Sequence, residues 1–387
     1  MKTATRGNIR PFEVMEAFRQ AALWEEQGNN VVHLSLGQPG CKPPKAVLDH
    51  VSQELHNTSL GYTDACGLPA LRTRISTYYQ ESYDLDVPEE QIFVTVGSSA
   101  AYFLTLLSAF DEGDKIAIAR PCYPAYPNMM EALGIAPVFI DAKEENGFQP
   151  TVESLQQAGK VDGLLIASPS NPTGSILSPS ELQTLSQYCK QHDIRIVSDE
   201  IYHHVVYDNA QFESAVRFND NAVILNSFSK YFLLSGWRLG WAVVPKDLIR
   251  SYESLLQSFF ISPPAIAQHA ALKTFDHLDE MQHVVAGYAK NRDMLKHTLQ
   301  TLGFTGLNHA QGAFYLYANI TNFSHDSKAF CADMLREANI CAVPGLDFDQ
   351  KHGAHYVRFS FCGDASDIAL ACERLRNWIS TCQTIAS

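Results

Sequence analysis

From Ile92 onward the chain alternates short apolar runs with longer amphipathic ones, and this alternation sets the expected fold. The runs IFVTV (92–96), KIAIA (115–119), PVFI (137–140), GLLIA (163–167), IRIVS (194–198), AVILN (222–226) and GWAVV (240–244) are short, β-branched and almost continuously apolar. Strands with that pattern are buried on both faces. Helical segments are expected beside them: one from Pro69 through Leu71, Ile75 and Tyr78, one from Ala100, and one with Ser178 as cap, Pro179 at its first position and Glu181 closing a capping box. Alternating strands and helices predict an α/β fold, a mostly parallel central sheet covered by helices, with the ligand site at the carboxyl ends of the strands. Those ends carry the chain's candidate chemistry: GSS after 96, SPSNPTG after 167, DEIY after 198 and SFSK after 226.

On either side of this core the pattern changes. Before it, Asn8 or Ile9 ahead of Pro11 signals a helix start, with Phe12, Met15, Phe18 and Ala22 as the apolar face and Gly28 as the end. VVHLSLGQPG then predicts a short strand and a glycine-rich turn. Beyond Pro263 and Pro264 a long helical stretch is expected over 265–303, followed by the strands AFYLYA and HYVRFSF and a final helix from Asp367 to about Thr381. This makes a second, smaller α+β domain, joined to the first by the long helix rather than by a flexible tether. Two domains also suit 387 residues, since one core stops growing at ~250–300.

Composition narrows the function. A chain 46% hydrophobic and 18% charged is globular, and it lacks any run of ~18 uncharged apolar residues or an apolar leader in its first ten positions. A soluble, cytoplasmic protein is the expectation. The nine cysteines are scattered, with no C-x-x-C pair, and read as small core residues in a reducing compartment. A net charge of −13 opposes both nucleic-acid and membrane binding, each of which wants a basic face. His203 and His204 have no companion at metal-ligand spacing and are read as structural, so no metal is expected.

The stretch 226–241, NSFSKYFLLSGWRLGW, places Lys230 among Phe228, Tyr231, Phe232, Leu233, Leu234 and Trp237. Desolvation there penalises the ammonium and lowers the pKa from ~10.4, which yields a neutral, nucleophilic amine. A serine-lysine pair alone would be a surface feature. Here S-x-S-K is followed after five residues by G-x-R-x-G-W, and the stretch resembles the pyridoxal-phosphate attachment site of the class I/II aminotransferases, the fold-type I group. The resemblance runs over nearly the whole chain, with motifs around 171, 199, 230, 238 and 358 in the family's order.

It implies a role for each matched residue. Lys230 is the catalytic residue that carries pyridoxal 5′-phosphate; Asp199 of VSDEIY meets the cofactor's ring nitrogen; Tyr202 and Asn171 donate to its phenolic oxygen; Tyr123 of RPCYPAYP stacks on the ring. Ser98, Ser99 and Ala100, at a helix start after Gly97, would cradle the phosphate with Ser227 and Arg238. Tyr62 of GYTDACGLPALR matches a tyrosine that family members lend across a homodimer interface to the neighbouring phosphate. Arg358 of HYVRFSF matches the clamp for the substrate's α-carboxylate, with Asn171 beside it, and Gly37 matches a glycine that leaves room for that carboxylate. The implied division is an arm and helix over 1–43 packing with the small domain, a large cofactor-binding domain over 44–275 and a small domain over 276–387.

The implied reaction moves an amino group from an L-amino acid to a 2-oxo acid in ping-pong order. Carbon-sulfur lyases and aminocyclopropane-carboxylate synthases share the scaffold and most of these residues, and remain the first alternative. A cofactor-sensing regulator is the second, although only about forty residues precede the first strand pattern of the cofactor-binding domain, too few for a DNA-binding domain. Near the substrate the resemblance places Phe12, Leu36, Tyr62, Tyr126 and Tyr231, with Arg10, Lys45 and Arg120 as the cations nearby. A neutral or aromatic amino donor is therefore expected, paired with glutamate or alanine.

Overall fold

A computed structural model describes residues 1–307 and 310–386, the side chains of 382–386 aside. At its centre lies a seven-stranded sheet in the order Ile92–Thr95, Gly240–Val243, Val223–Ser227, Arg195–Asp199, Gly163–Ala167, Lys115–Arg120, Ala136–Asp141. Each apolar run of the sequence becomes one of these strands, within two residues at either end. Six run parallel, and Gly240–Val243 is antiparallel to both neighbours. Its reversal has a cause in chain length. A parallel return needs a crossover of a dozen or more residues, usually a helix. The segment 228–239 between the two strands instead folds into a compact loop with one 3-10 turn, Ser235–Trp237, so the chain comes straight back. Lys230 sits in that loop.

Helices cover both faces. Helix Pro69–Tyr83 buries Leu71, Ile75 and Tyr78 together with Tyr79 and Tyr83. Helix Pro179–Gln191 starts on the expected capping box: Ser178 Oγ accepts from the Glu181 amide at 3.3 Å, and Glu181 Oε2 accepts from the Ser178 amide at 2.8 Å. The expected stretch 265–303 is two helices, Ala265–Thr274 and Leu278–Leu302, joined by a 3-10 turn at Phe275–His277. The last helix, Ala365–Ala386, packs against Leu278–Leu302. No helix among the described residues is long and apolar enough to cross a membrane.

A smaller antiparallel sheet, Val343–Pro344, Tyr356–Ser360 and Tyr315–Asn319, carries Arg358 in its central strand. The N-terminal helix, Glu13–Glu25, packs on the same region but differs from expectation in start and face. Its first amides are capped from far along the chain: Asp347 accepts from Glu13 N and Val14 N, each at 3.1 Å. Its buried side chains are Val14 and Ala21, whereas Met15 and Phe18 are exposed. The small residues Ala17 and Ala21 let the helix approach Cys341 closely, which the larger side chains would prevent.

Candidate active site

The loop 228–239, between strands Val223–Ser227 and Gly240–Val243, is anchored by its aromatic residues. Phe228 and Phe232 are buried against Trp241, Tyr78 and Phe275, with the Phe228 and Trp241 rings 4.8 Å apart. Leu233 and Arg238 take left-handed backbone angles, φ 61° and 54°, and turn the chain twice within six residues. With the aromatics held inward, Lys230 projects into a cleft of about 470 Å3, a size that suits a small ligand. Its Nζ donates to the Gly37 carbonyl at 2.7 Å and lies 5.7 and 5.8 Å from the Tyr202 and Phe314 ring centres. Burial lowers its pKa to about 8; Arg358 and Arg238 add to the fall, and Cys362 and Asp199 oppose it.

Asp199 ends its strand at the floor of the same cleft, 6% exposed. Burial raises its pKa to about 6, and three groups work against that rise: the Tyr126 hydroxyl, which donates to Oδ2, the Ile201 amide, which donates to Oδ1 at 3.1 Å, and Lys230. Its neighbour Glu200 points elsewhere and is bound by Ser214 Oγ at 3.1 Å and the Ala215 amide at 2.9 Å.

Two cationic ends complete the cleft. At one, helix Gly97–Ala109 presents the free amides of its first turn, with Ser98 and Ser99 lining the wall. The Arg238 guanidinium lies so close that a methyl on Gly97 would stand 2.6 Å from Nη2. Ser227, Ser229 and Ser235 line the same end, and no carboxylate pairs with Arg238 among the described residues. Ala100, expected beside Ser98 and Ser99, is buried and does not line the cleft. At the other end, Arg358 is 2% exposed between the rings of Tyr315 and Phe348, 4.3 and 4.7 Å from their centres. Nη1 donates to Asn171 Oδ1 at 2.9 Å, Nη2 donates to the Ser35 carbonyl, and Nε is buried without a partner. A buried guanidinium lacking a carboxylate partner is costly. It is poised to take an anion.

A model of the family described as aminotransferase class I and II matches residues 29–375. The chain belongs to that family. Among its relatives, valine–pyruvate aminotransferase of Mycobacterium tuberculosis is 39% identical and aligns over 98% of both chains. The solved structure of an aminotransferase from Mycobacterium tuberculosis superposes with a TM-score of 0.96 at 38% identity, covering 98% of this chain and all of the other. Aspartate aminotransferase from Thermus thermophilus with maleate superposes at 0.90 with 28% identity, over 97% and 99% of the two chains. The fold is accordingly that of the fold-type I aminotransferases.

In this aminotransferase the cleft brings together Gly37, Ser98, Ser99, Tyr123, Asn171, Asp199, Tyr202, Ser227, Lys230, Arg238 and Arg358. Tyr62 is not among them: it is 84% exposed. Phe12, Leu36 and Tyr126 line the cleft as expected, whereas Tyr231 turns away, packing on His204 and hydrogen-bonding Gln282. None of the three nearby cations lines it either. Lys45 pairs with Asp49 and Arg120 with Asp141, each at 2.5 Å, while Arg10 borders a separate cavity with Arg120.

Two residues escaped the sequence reading of the aminotransferase. The sequence places Tyr126 only near the substrate, yet its hydroxyl is spent on Asp199. Tyr315 was only a strand residue in AFYLYA; its hydroxyl meets that of Tyr202 at 2.9 Å and stacks the ring on Arg358. Tyr315 also explains Gly37. A Cβ at Gly37 would lie 1.7 Å from the Tyr315 hydroxyl, so the glycine makes room for that tyrosine before it makes room for any ligand. The spacing Tyr123-x-x-Tyr126 and the alternation of Tyr315 and Tyr317 were the available signals, but neither specifies a partner.

Proposed function

We propose that this aminotransferase holds pyridoxal 5′-phosphate in the cleft and exchanges an amino group between a neutral L-amino acid and a 2-oxo acid. The residues present fit that group. Arg238, the helix start at Ser98 and Ser99, and Ser227 form an anion cradle that a side chain at Gly97 would fill, with the buried Ala100 next along that helix. Asp199 supplies a deep carboxylate for the ring nitrogen. Asn171 has its amide oxygen engaged by Arg358, which leaves the amide nitrogen to donate, and Tyr202 and Tyr123 line the same cleft. When bound, the cofactor supplies an electron-withdrawing ring that stabilises negative charge on the substrate's α-carbon.

The chain's own groups do the rest. Lys230 Nζ, with a pKa of about 8, can serve as attachment amine and then take and return the α-proton near neutral pH. Arg358 binds the α-carboxylate with its two-pronged fork. We assign these roles across a large unit over 44–275, which carries Lys230 and Asp199, and a small one over 276–387, which carries Arg358, with the arm over 1–43 lending Gly37. The exposed Tyr62 is offered to the phosphate of a second copy in a homodimer. Every described cysteine is free, which supports a cytoplasmic site of action.

The neutral-donor reading rests on one observation: the cations lining the cleft are Lys230, Arg238 and Arg358, and the remaining wall includes Phe12, Val14, Met15, Leu36 and Met129. A second carboxylate on the substrate would find no further cationic partner lining the cleft among the described residues. The relative named valine–pyruvate aminotransferase supports the same reading, and pyruvate as an acceptor. Relatives named as aminotransferases also favour transamination over the carbon-sulfur lyase alternative. The test is a panel of amino donors against pyruvate and 2-oxoglutarate. Burying an unpaired carboxylate costs at least ~2 kcal/mol, so aspartate should fall roughly tenfold or more below the best neutral or aromatic donor in kcat/KM. Aspartate as the best donor would overturn the reading and place the missing cation on a partner subunit.

A further expectation concerns Tyr126. Its hydroxyl stabilises the Asp199 anion, so Tyr126→Phe should push the Asp199 pKa further up and weaken its hold on a protonated ring nitrogen. A hydrogen bond to a charged group contributes about 1.5–3 kcal/mol, which corresponds to a roughly tenfold or greater loss of cofactor affinity. Dissociation followed by cofactor absorbance measures it, and unchanged affinity would reduce Tyr126 to a wall residue.

A further inference from the structure

Away from the cleft, helix Lys45–Asn57 carries His50 and Glu54 one turn apart, so both side chains stand on the same face. That helix packs on Ala265–Thr274, which carries His269. His269 Nδ1 lies 3.5 Å from Glu54 Oε2, and the two imidazole rings are 6.4 Å apart, inclined at 53°. One ligand atom from each of the three residues can be chosen so that all lie within 4.8 Å of one another, and all three side chains are half-buried. Ligands at the corners of a zinc tetrahedron stand about 3.4 Å apart, so a side-chain adjustment of about 1 Å closes the set around one ion.

We propose that His50, Glu54 and His269 form a binding site for a divalent transition metal of the zinc class, with a fourth position open to water. Two imidazoles and one carboxylate suit zinc, cobalt or nickel, whereas calcium and magnesium want oxygen ligands. The site has an outer partner as well. Thr58 Oγ1 donates to Glu54 Oε2 at 2.5 Å and fixes the carboxylate, as groups behind metal ligands commonly do. None of the three residues lines the active-site cleft. An ion here ties helix Lys45–Asn57 to helix Ala265–Thr274 and steadies the start of the segment 58–62 that leads to the exposed Tyr62. Its effect falls on stability and not on the chemical step. The sequence offers no such set by spacing: His50 and Glu54 make half a motif, and its third member arrives only when the fold brings His269 beside them.

The experiment uses the holoenzyme, dialysed against a chelator and titrated with zinc(II) and, separately, cobalt(II). One ion per chain is expected, with the visible absorption of tetrahedral cobalt and a melting temperature that rises with zinc. His50→Ala, Glu54→Gln and His269→Ala should each weaken zinc binding about tenfold or more, since loss of even an outer partner costs that much. Their metal-free transaminase activity should match wild type, which also reports intact folding, and His50→Gln with His269→Gln serves as a second, closely sized pair. Zinc that binds wild type no more tightly than these variants, or raises their melting temperature equally, overturns the site.

Discussion

Lys230→Ala is expected to lower transaminase turnover by at least about 10²–10⁴-fold, the range over which a positioned acid-base group acts, because one amine serves both as attachment point and as proton carrier. The expectation follows from the geometry of the loop. Phe228 and Phe232 lock its inner side into the aromatic cluster with Trp241, so Nζ has one direction to project, toward the Gly37 carbonyl at 2.7 Å. Among the described residues no other lysine lines the cleft, so none of them offers a second amine. Cofactor and substrate should still bind, through Arg238 and Arg358, which the change leaves untouched. Borohydride reduction of the wild-type enzyme followed by peptide mapping gives an independent reading: the reduced cofactor should be found on the peptide containing Lys230. A label on any other lysine, or wild-type turnover in the variant, would move the chemistry elsewhere.

The parts of the molecule legible in the sequence are those that a local pattern decides. Strands buried on both faces leave a continuous apolar signature, and seven such runs gave the central sheet nearly residue for residue. The strand ends then placed Asp199, Asn171 and Lys230 on one edge, since parallel strands align their carboxyl ends. What local pattern does not decide was missed. The N-terminal helix has apolar residues on more than one face, and the buried face was chosen by Ala17 and Ala21 fitting against Cys341, a contact more than three hundred residues distant in sequence. Its start was set by Asp347 in the same way. Tyr231, adjacent to Lys230, points out of the cleft, where its ring packs on His204 and its hydroxyl accepts from Gln282, and adjacency in sequence carries no direction once the backbone leaves regular structure. Hydroxyl pairings such as Tyr202 with Tyr315 are set by tertiary distance alone.

Arg358 carries the second large effect. Arg358→Lys should raise KM about 10- to 150-fold for every amino donor alike, with cofactor absorbance unchanged. Lysine keeps the positive charge, so the long-range attraction for a carboxylate survives; what it loses is the planar fork that engages both carboxylate oxygens. One lost hydrogen bond between charged partners is worth about 1.5–3 kcal/mol, and each 1.4 kcal/mol is tenfold in affinity, which sets the range. The surroundings sharpen the loss. Tyr315 and Phe348 sandwich a flat group at 4.3 and 4.7 Å, and an ammonium between them has neither the shape nor the weak hydration that a guanidinium brings to such a slot. Asn171 Oδ1 and the Ser35 carbonyl, which now orient the fork, would compete with the substrate for the ammonium's protons. Uniformity across donors is the discriminating feature, because the α-carboxylate is common to all of them and the side chain is not. A rise confined to donors with one kind of side chain would assign Arg358 to the distal pocket, and an unchanged KM for every donor would remove it from the substrate site altogether.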